Sequence, residues 1–289
     1  MPTKIEKDAI SGQDTTGHEW DGIKELNTPL PKWWVYTFYA CIAWSAVWFV
    51  LYPAWPTLST HSSGILGYST RAEAGKQIAA HTASRAPFVD RIRAASLDQI
   101  RKDPELLNYA LSGGRAIFAD NCTPCHGPGG GGSKGFPNLA DDDWLWGGDL
   151  AAVHRTIGLG VRNANSESRQ SLMPRFGADK ILTPAQIDDL AEFVLSLSGP
   201  PQNSTAAARG AGQFVENCAA CHGEQGRGSI EFGAPNLTDR IWLFGGDKAS
   251  IVQSISAPRN GSMPAWSERL DDALVKMLAV YVHSLGGGR

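Results

Sequence analysis

The sequence is short of charge of either sign. Charged residues make up 19% of its 289 residues, against about 25% in typical globular chains. Lys and Arg number 26 and Asp and Glu 29, a net of −3. That balance excludes a nucleic-acid binder relying on a basic field, because neutralising phosphates needs clustered Lys and Arg. Methionine is scarce, at four including the first residue, and cysteine stops at five. Hydrophobic content of 42% with ten Trp excludes a wholly disordered chain. Glycine is plentiful instead, at 32 residues, where the usual ~7% would give about 20. Loop-rich domains with short helices follow from it.

Long uncharged runs are absent except for one. Trp33 to Tyr52 reads WWVYTFYACIAWSAVWFVLY, twenty residues without a charge, enough at 1.5 Å per residue to cross a hydrocarbon core of ~30 Å. Trp33, Trp34 and Tyr36 crowd one end and Trp48, Tyr52 and Trp55 the other, where amphipathic rings favour headgroup depth. Pro31 precedes the run, and Pro53 and Pro56 follow it. A core helix of this length would carry a polar stripe, and a cleaved signal would not follow 32 residues of mixed charge. A membrane helix over 33–56 behind a leader, 1–32, is expected. Cys41 inside the run reads as a small apolar filler. Flanking Lys and Arg give almost no bias of orientation.

Residues 57–107 read as a connector of short helices lying on other surfaces. Beyond it the chain repeats. Cys122-Thr-Pro-Cys125-His126 recurs as Cys218-Ala-Ala-Cys221-His222, and PNLADDDWLWGGD (137–149) recurs as PNLTDRIWLFGGD (235–247). Met173-Pro174 matches Met263-Pro264, and AEFVLSL (191–197) matches AVYVHSL (279–285). One domain is therefore duplicated, over 108–199 and 206–289, with an extra loop around Asn163 to Arg169 in the first copy. The Pro-rich linker, 200–205, should act as a semi-rigid spacer. Within each copy, Gly114 or Gly210 should let an N-terminal helix approach a C-terminal one, with Phe118 and Tyr281, or Phe214 and Phe193, filling the crossings. So small a domain has a thin core, which something large and apolar should fill.

Two thiols three positions apart with an imidazole directly after them can form thioethers to both vinyl groups of a haem, while the His ligates iron. A zinc site would need two closely spaced pairs, but these lie in separate repeats. A thioredoxin-like pair would need flanking strands, and two disulfides would leave each His unexplained. Two covalently bound c-type haems are thus expected, on Cys122, Cys125, Cys218 and Cys221, with His126 and His222 on the irons. Met173 and Met263, at equivalent positions and stiffened by the following proline, are the expected sixth ligands, and Met277 is expected in the core. His154 is a weaker rival ligand, while His18, His61, His81 and His283 have no repeat equivalent pointing to ligation. The tract Gly127 to Gly132 lacks the Lys and preceding strand of a phosphate cradle and reads as a flexible loop at the haem edge. Asp141, Asp142 and Asp143 read as a solvated run.

The CxxCHG motif, the PNL segment, the Met-Pro pair and the aromatic last helix of each repeat resemble class I cytochrome c. The fold class expected is therefore mainly α: one N-terminal transmembrane helix and two tandem cytochrome c-like domains. The leader His18-Glu19-Trp20-Asp21-Gly22-Ile23-Lys24-Glu25-Leu26-Asn27-Thr28-Pro29-Leu30-Pro31-Lys32-Trp33-Trp34, running into one span ahead of two such domains, resembles the dihaem subunit III of bacterial cbb3-type cytochrome c oxidases. The resemblance implies a non-catalytic electron carrier in the bacterial inner membrane, with its N-terminus cytoplasmic and its haems periplasmic. It implies a donor cytochrome c, and as partners a monohaem subunit and a haem-copper subunit that reduces oxygen to water, with the leader resting on partner subunits. The first repeat, with 7 positive and 10 negative side chains, is the more acidic and is expected to dock a basic donor. A dihaem carrier of another respiratory complex is the alternative; a dihaem peroxidase would need a displaceable ligand where the Met-Pro pairs stand.

Overall fold

The structure, a computed structural model, describes residues 4–286. It divides into two compact units, residues 1–82 and 83–289. The first opens with an antiparallel hairpin, β1 (Thr15–Trp20) and β2 (Ile23–Leu26). Asp21 and Gly22, both at positive φ, form its two-residue turn, the backbone that matches the twist of paired strands. Lys24 ties the hairpin to Glu6 at 2.6 Å. Asp-Gly between Trp20 and Ile23 is the two-residue turn signal of such a hairpin.

Helix α1 (Lys32–Leu51) follows. It is apolar all round, with a mean hydropathy of 1.5 and no buried residue, as a bilayer requires of a lone helix. Its two aliphatic hydroxyls bond internally, Thr37 Oγ1 donating to the Trp33 carbonyl and Ser45 Oγ to that of Cys41, which spares both an unpaired donor in an apolar surround. The helix stops before Pro53, so residues 53–56 lie beyond it.

The connector departs from expectation. It holds one long helix, α2 (Thr70–Ala94), then α3 (Leu97–Lys102). Ile92 and Ile100 are fully buried in a haem-domain core, which modest apolar periodicity did not reveal. Lys276 fastens this segment from the far end of the chain by donating to the carbonyls of Arg93 and Ala95.

The remaining helices are α4 (Pro104–Asn121), α5 (Thr123–His126), α6 (Leu150–Leu159) and α7 (Pro184–Ser198) in the first repeat. The second has α8 (Ser204–Asn217), α9 (Ala219–His222), α10 (Lys248–Ser256) and α11 (Asp272–His283). Side-chain caps start most of them: Asp103, Asp149, Asn203, Asp247 and Asp271 each accept from the first-turn amides.

The two cores do not follow the two repeats. Helix α4 packs on α11 and α7 on α8, so each repeat's N-terminal helix pairs with the other repeat's C-terminal helix. The crossings expected within a copy form between copies. Phe118 meets Tyr281 at 5.4 Å between ring centroids, and Phe214 meets Phe193 at 5.0 Å. The two glycines do serve close approach: a Cβ on Gly114 would lie 2.6 Å from Tyr281 Cβ, and one on Gly210 would lie 3.0 Å from Phe193 Cβ and closer still to the Asp189 carbonyl. Phe118 and Phe214 are among the largest fully buried side chains, and each contributes about 1.5–3 kcal/mol through burial.

This pairing explains two further differences. The Pro-rich linker is the turn of the α7–α8 hairpin, where Gln202 and Asn203 amides donate to the buried Glu192 carboxylate at 2.8 and 3.0 Å. The extra loop of the first repeat is a strap to the second. Asn163 donates to the Met263 carbonyl, Asn165 to Glu268, and Arg162 to the Gly261 carbonyl.

Candidate functional site: two Cys-x-x-Cys-His pockets

Each motif sits on a single helical turn. Amides of Cys125 and His126 bond the Cys122 carbonyl at 3.1 and 2.9 Å, and those of Cys221 and His222 bond the Cys218 carbonyl at the same distances. One turn therefore carries both sulfurs and the imidazole. Burial pushes the Cys122 and Cys218 thiols up to about 11. A redox-active pair has the opposite shift, towards thiolate, so disulfide exchange does not suit these sites.

The two imidazoles are set for ligation by proline carbonyls of the PNL segments. His126 Nδ1 lies 3.0 Å from the Pro137 oxygen and His222 Nδ1 3.0 Å from that of Pro235. A carbonyl only accepts, so Nδ1 carries the proton and Nε2 keeps its lone pair for iron. Burial lowers both histidines' proton affinity, which keeps them neutral, as a ligand must be. The glycine tract after the first motif is not a loose loop. Gly132 donates to His126, Gly130 to Gly127, and Leu139 to Gly130, and the second repeat repeats this ladder with Gly228, Gly226 and Leu237.

Cys218, Cys221 and His222 open into a cavity of about 770 Å³, inside the ~300–1,000 Å³ range of sites that enclose organic cofactors. Trp242, Ile251 and Phe214 form part of its apolar wall, and Met173 of the other repeat stands on it too. Met173 packs in the same core as Cys218, and Met263 in the same core as Cys122. These residues fit a covalently held haem: paired sulfurs, one imidazole with a free nitrogen, one thioether and an apolar chamber. Met277, fully buried, belongs to the packing of α11 as expected.

His154, the rival ligand, has its Nε2 4.0 Å from Asp272 of α11, buried and without a hydrogen bond among the described residues. His18, His61, His81 and His283 do not line the cavity. The run Asp141 to Asp143 is only partly solvated. Burial first, then Asp239 and Asp141, raises the Asp143 carboxyl to about 6.

Sequence reasoning missed one matched pair. Arg169 and Arg259 each stand four residues before a Met-Pro. The Arg169 guanidinium lies 5.0 Å from the Trp146 ring centroid and that of Arg259 4.4 Å from Phe244, the equivalent aromatics of the two GGD segments.

Comparison with known proteins agrees with this geometry. Residues 12–59 match the family described as the N-terminal domain of cytochrome oxidase-cbb3, FixP; residues 111–198 match cytochrome c; residues 205–282 match cytochrome c oxidase, cbb3-type, subunit III. The chain is 51% identical to the cbb3-type cytochrome c oxidase subunit CcoP of Azospirillum sp. (strain B510), over 98% of each chain. It is 51% identical to the subunit FixP of Bradyrhizobium diazoefficiens and 47% identical to the CcoP of Cereibacter sphaeroides, in both cases over the full length of each chain. The chain, mainly helical, with one candidate membrane helix and two cytochrome c domains for two covalently bound c-type haems, belongs to the CcoP/FixP family of cbb3-type cytochrome c oxidase subunits.

Proposed function

We propose that this subunit takes electrons singly from a donor cytochrome c and relays them, through a monohaem subunit, to the haem-copper subunit where oxygen is reduced, itself catalysing nothing. Helix α1 anchors it once in the bacterial inner membrane. The N-terminal hairpin is cytoplasmic and residues beyond α1 are periplasmic, the compartment in which thioether-linked haem is made. The cytochrome c domains are 108–199 and 206–289 by sequence, each completed by helices of the other.

The haems supply reversible one-electron chemistry at iron. The chain's own residues hold them: Cys122 and Cys125 with His126 at one site, Cys218 and Cys221 with His222 at the other. The sixth ligands cross over, Met263 serving the His126 site and Met173 the His222 site. The observation that carries this pairing is Met173 on the wall of the His222 cavity. Thioether ligation raises a haem's potential relative to two imidazoles, which suits a late position in a respiratory chain. An acidic first repeat suits a basic donor, whose rate of reduction of the subunit should fall steeply with salt.

Single variants test the assignment. Met173→His should lower the potential of the haem on Cys218 and Cys221 and remove one of two near-infrared sulfur-to-iron bands, and Met263→His should do the same at the first motif. Both bands surviving in both variants would sink the ligand set. Loss at the motif of the same repeat would sink the crossing.

A further inference from the structure

The charge-free run does not end with α1. No Asp, Glu, Lys or Arg occurs between Lys32 and Arg71, so the segment joining α1 to α2, residues 53–69, carries none. That segment folds back on the membrane helix. The amides of Ile65 and Leu66 donate to the carbonyls of Val50 and Leu51 at 3.0 and 3.1 Å, helix-end acceptors that have no partner inside the helix. Gly64 permits the approach: its φ is +67°, and a Cβ there would lie 2.4 Å from the Leu51 oxygen. Aromatic pairs clasp both limbs of the loop to the same turns. Trp55 meets Phe49 edge-on at 5.2 Å between ring centroids, and Tyr68 meets Tyr52 at 5.5 Å.

The loop is thereby pinned at the depth of the last turn of α1, where the span meets the headgroups. Its apolar side chains have no cover there: Leu58 is fully exposed, Ile65 is 75% exposed, and Trp55 and Leu66 are exposed too. Left in water, such a cluster invites association. A backbone at that depth has to satisfy its own polar groups, and this one does so in large part. The Thr57 amide donates to the Thr60 carbonyl at 2.7 Å, the Ser62 amide to the Trp55 carbonyl at 2.8 Å, and the Trp55 amide to Ser62 Oγ at 3.0 Å. Hydroxyls and apolar side chains without a charge suit the boundary between acyl chains and headgroups, where binding grows with the apolar area buried. Lipid is the favoured occupant because the loop is continuous with a span that lipid already surrounds, and backbone bonds hold it at that level.

We propose that residues 53–68 form a second membrane contact, a re-entrant collar lying in the interface of the leaflet where α1 ends, with phospholipid as its partner. The chain still crosses the bilayer once. Insertion of Trp55, Leu58 and Ile65 beside α1 gives the anchor two points of hold, which resists rotation of the span about its own axis. The inference rests on α1 being the membrane anchor, and the haems do not enter it.

The test uses the full-length subunit within its oxidase, reconstituted in vesicles of phosphatidylethanolamine and phosphatidylglycerol. A diazirine-bearing leucine analogue takes the place of Leu58 or of Ile65, and of Ile42 in the middle of α1 as a reference. On illumination the carbene inserts into whatever touches it, and mass spectrometry reads the adduct as water, lipid or peptide. Lipid adducts should exceed water adducts by about tenfold at both loop positions, the partition of an apolar side chain of that size. Water at Leu58 or Ile65, with lipid or peptide at Ile42, would overturn the collar and leave the anchor standing. Water at Ile42 would overturn both. Adducts to another oxidase polypeptide in place of lipid would assign the loop to a subunit interface and overturn the lipid contact.

Discussion

Val161 and Met263 exchange both backbone hydrogen bonds, at 3.0 and 2.8 Å, across about a hundred residues of sequence. Val161 closes helix α6 of the first repeat, and Met263 leads into α11 of the second. This bridge fixes a sulfur from the second repeat in the core that surrounds Cys122.

Neither half should complete its site alone. A fragment ending at residue 199 lacks α11 and Met263, and should show no sulfur-to-iron band after haem attachment. Co-expression with the remainder of the chain should restore the band. A band in the isolated fragment would disprove the crossing.

The helix crossings tolerate no added carbon. Gly210→Ala places a Cβ against the Asp189 carbonyl and Phe193, and overpacking of this kind costs ~1–3 kcal/mol. Thermal unfolding followed by haem absorbance should show a lowered Tm, with Gly114→Ala behaving alike. Gly212→Ala, where nothing lies within 4 Å, is the control and should change little.

Glu192 is fully buried and bonded to Lys248 at 2.8 Å, and the Lys248 hydrogen bond, against the cost of burial, holds its carboxyl below the usual range. Such a depressed carboxylate stabilises the fold above its unfolded value of about 4.3, and that stability is lost as pH falls through the folded one. Lys248→Met strands the charge. The difference in Tm from wild type should be greatest near pH 7 and narrow towards pH 4, where Glu192 is neutral in the variant. A difference independent of pH would refute this account.

Asp143 works with the opposite sign. Its carboxyl titrates at about 6 in the fold, raised first by burial. The fold therefore binds the proton more tightly than the unfolded chain does, and loses stability as pH rises from ~4 to 6. Asp143→Asn should raise Tm at pH 7.5 and leave it nearly unchanged at pH 4. Equal effects at both values would show that the charge is not the cause.

What the sequence disclosed, and what it hid, follows from the range of the physics involved. The CxxCH turns were legible because their pattern is local: Cys122 to His126 occupies one turn. The membrane helix was legible because twenty uncharged residues have few other uses. The partner of each helix was not, because repeat homology makes Gly114 equally suited to Phe193 and to Tyr281. Only the short α7–α8 turn, too tight for a spacer, selects between them. The buried role of Ile92 and Ile100 was hidden by a mixed-charge surround. Arg169 was obscured by its place at the end of the extra loop, although counting back four residues from each Met-Pro would have paired it with Arg259.

The threading of α11 back onto α4 has a consequence for manufacture. Synthesis delivers the first CxxCH long before the last helix, so the first porphyrin must be fastened to a half-built shell or wait for the closing strokes of translation. Under the proposed crossing, any chain cut short before residue 263 would lack the thioether meant for its first iron.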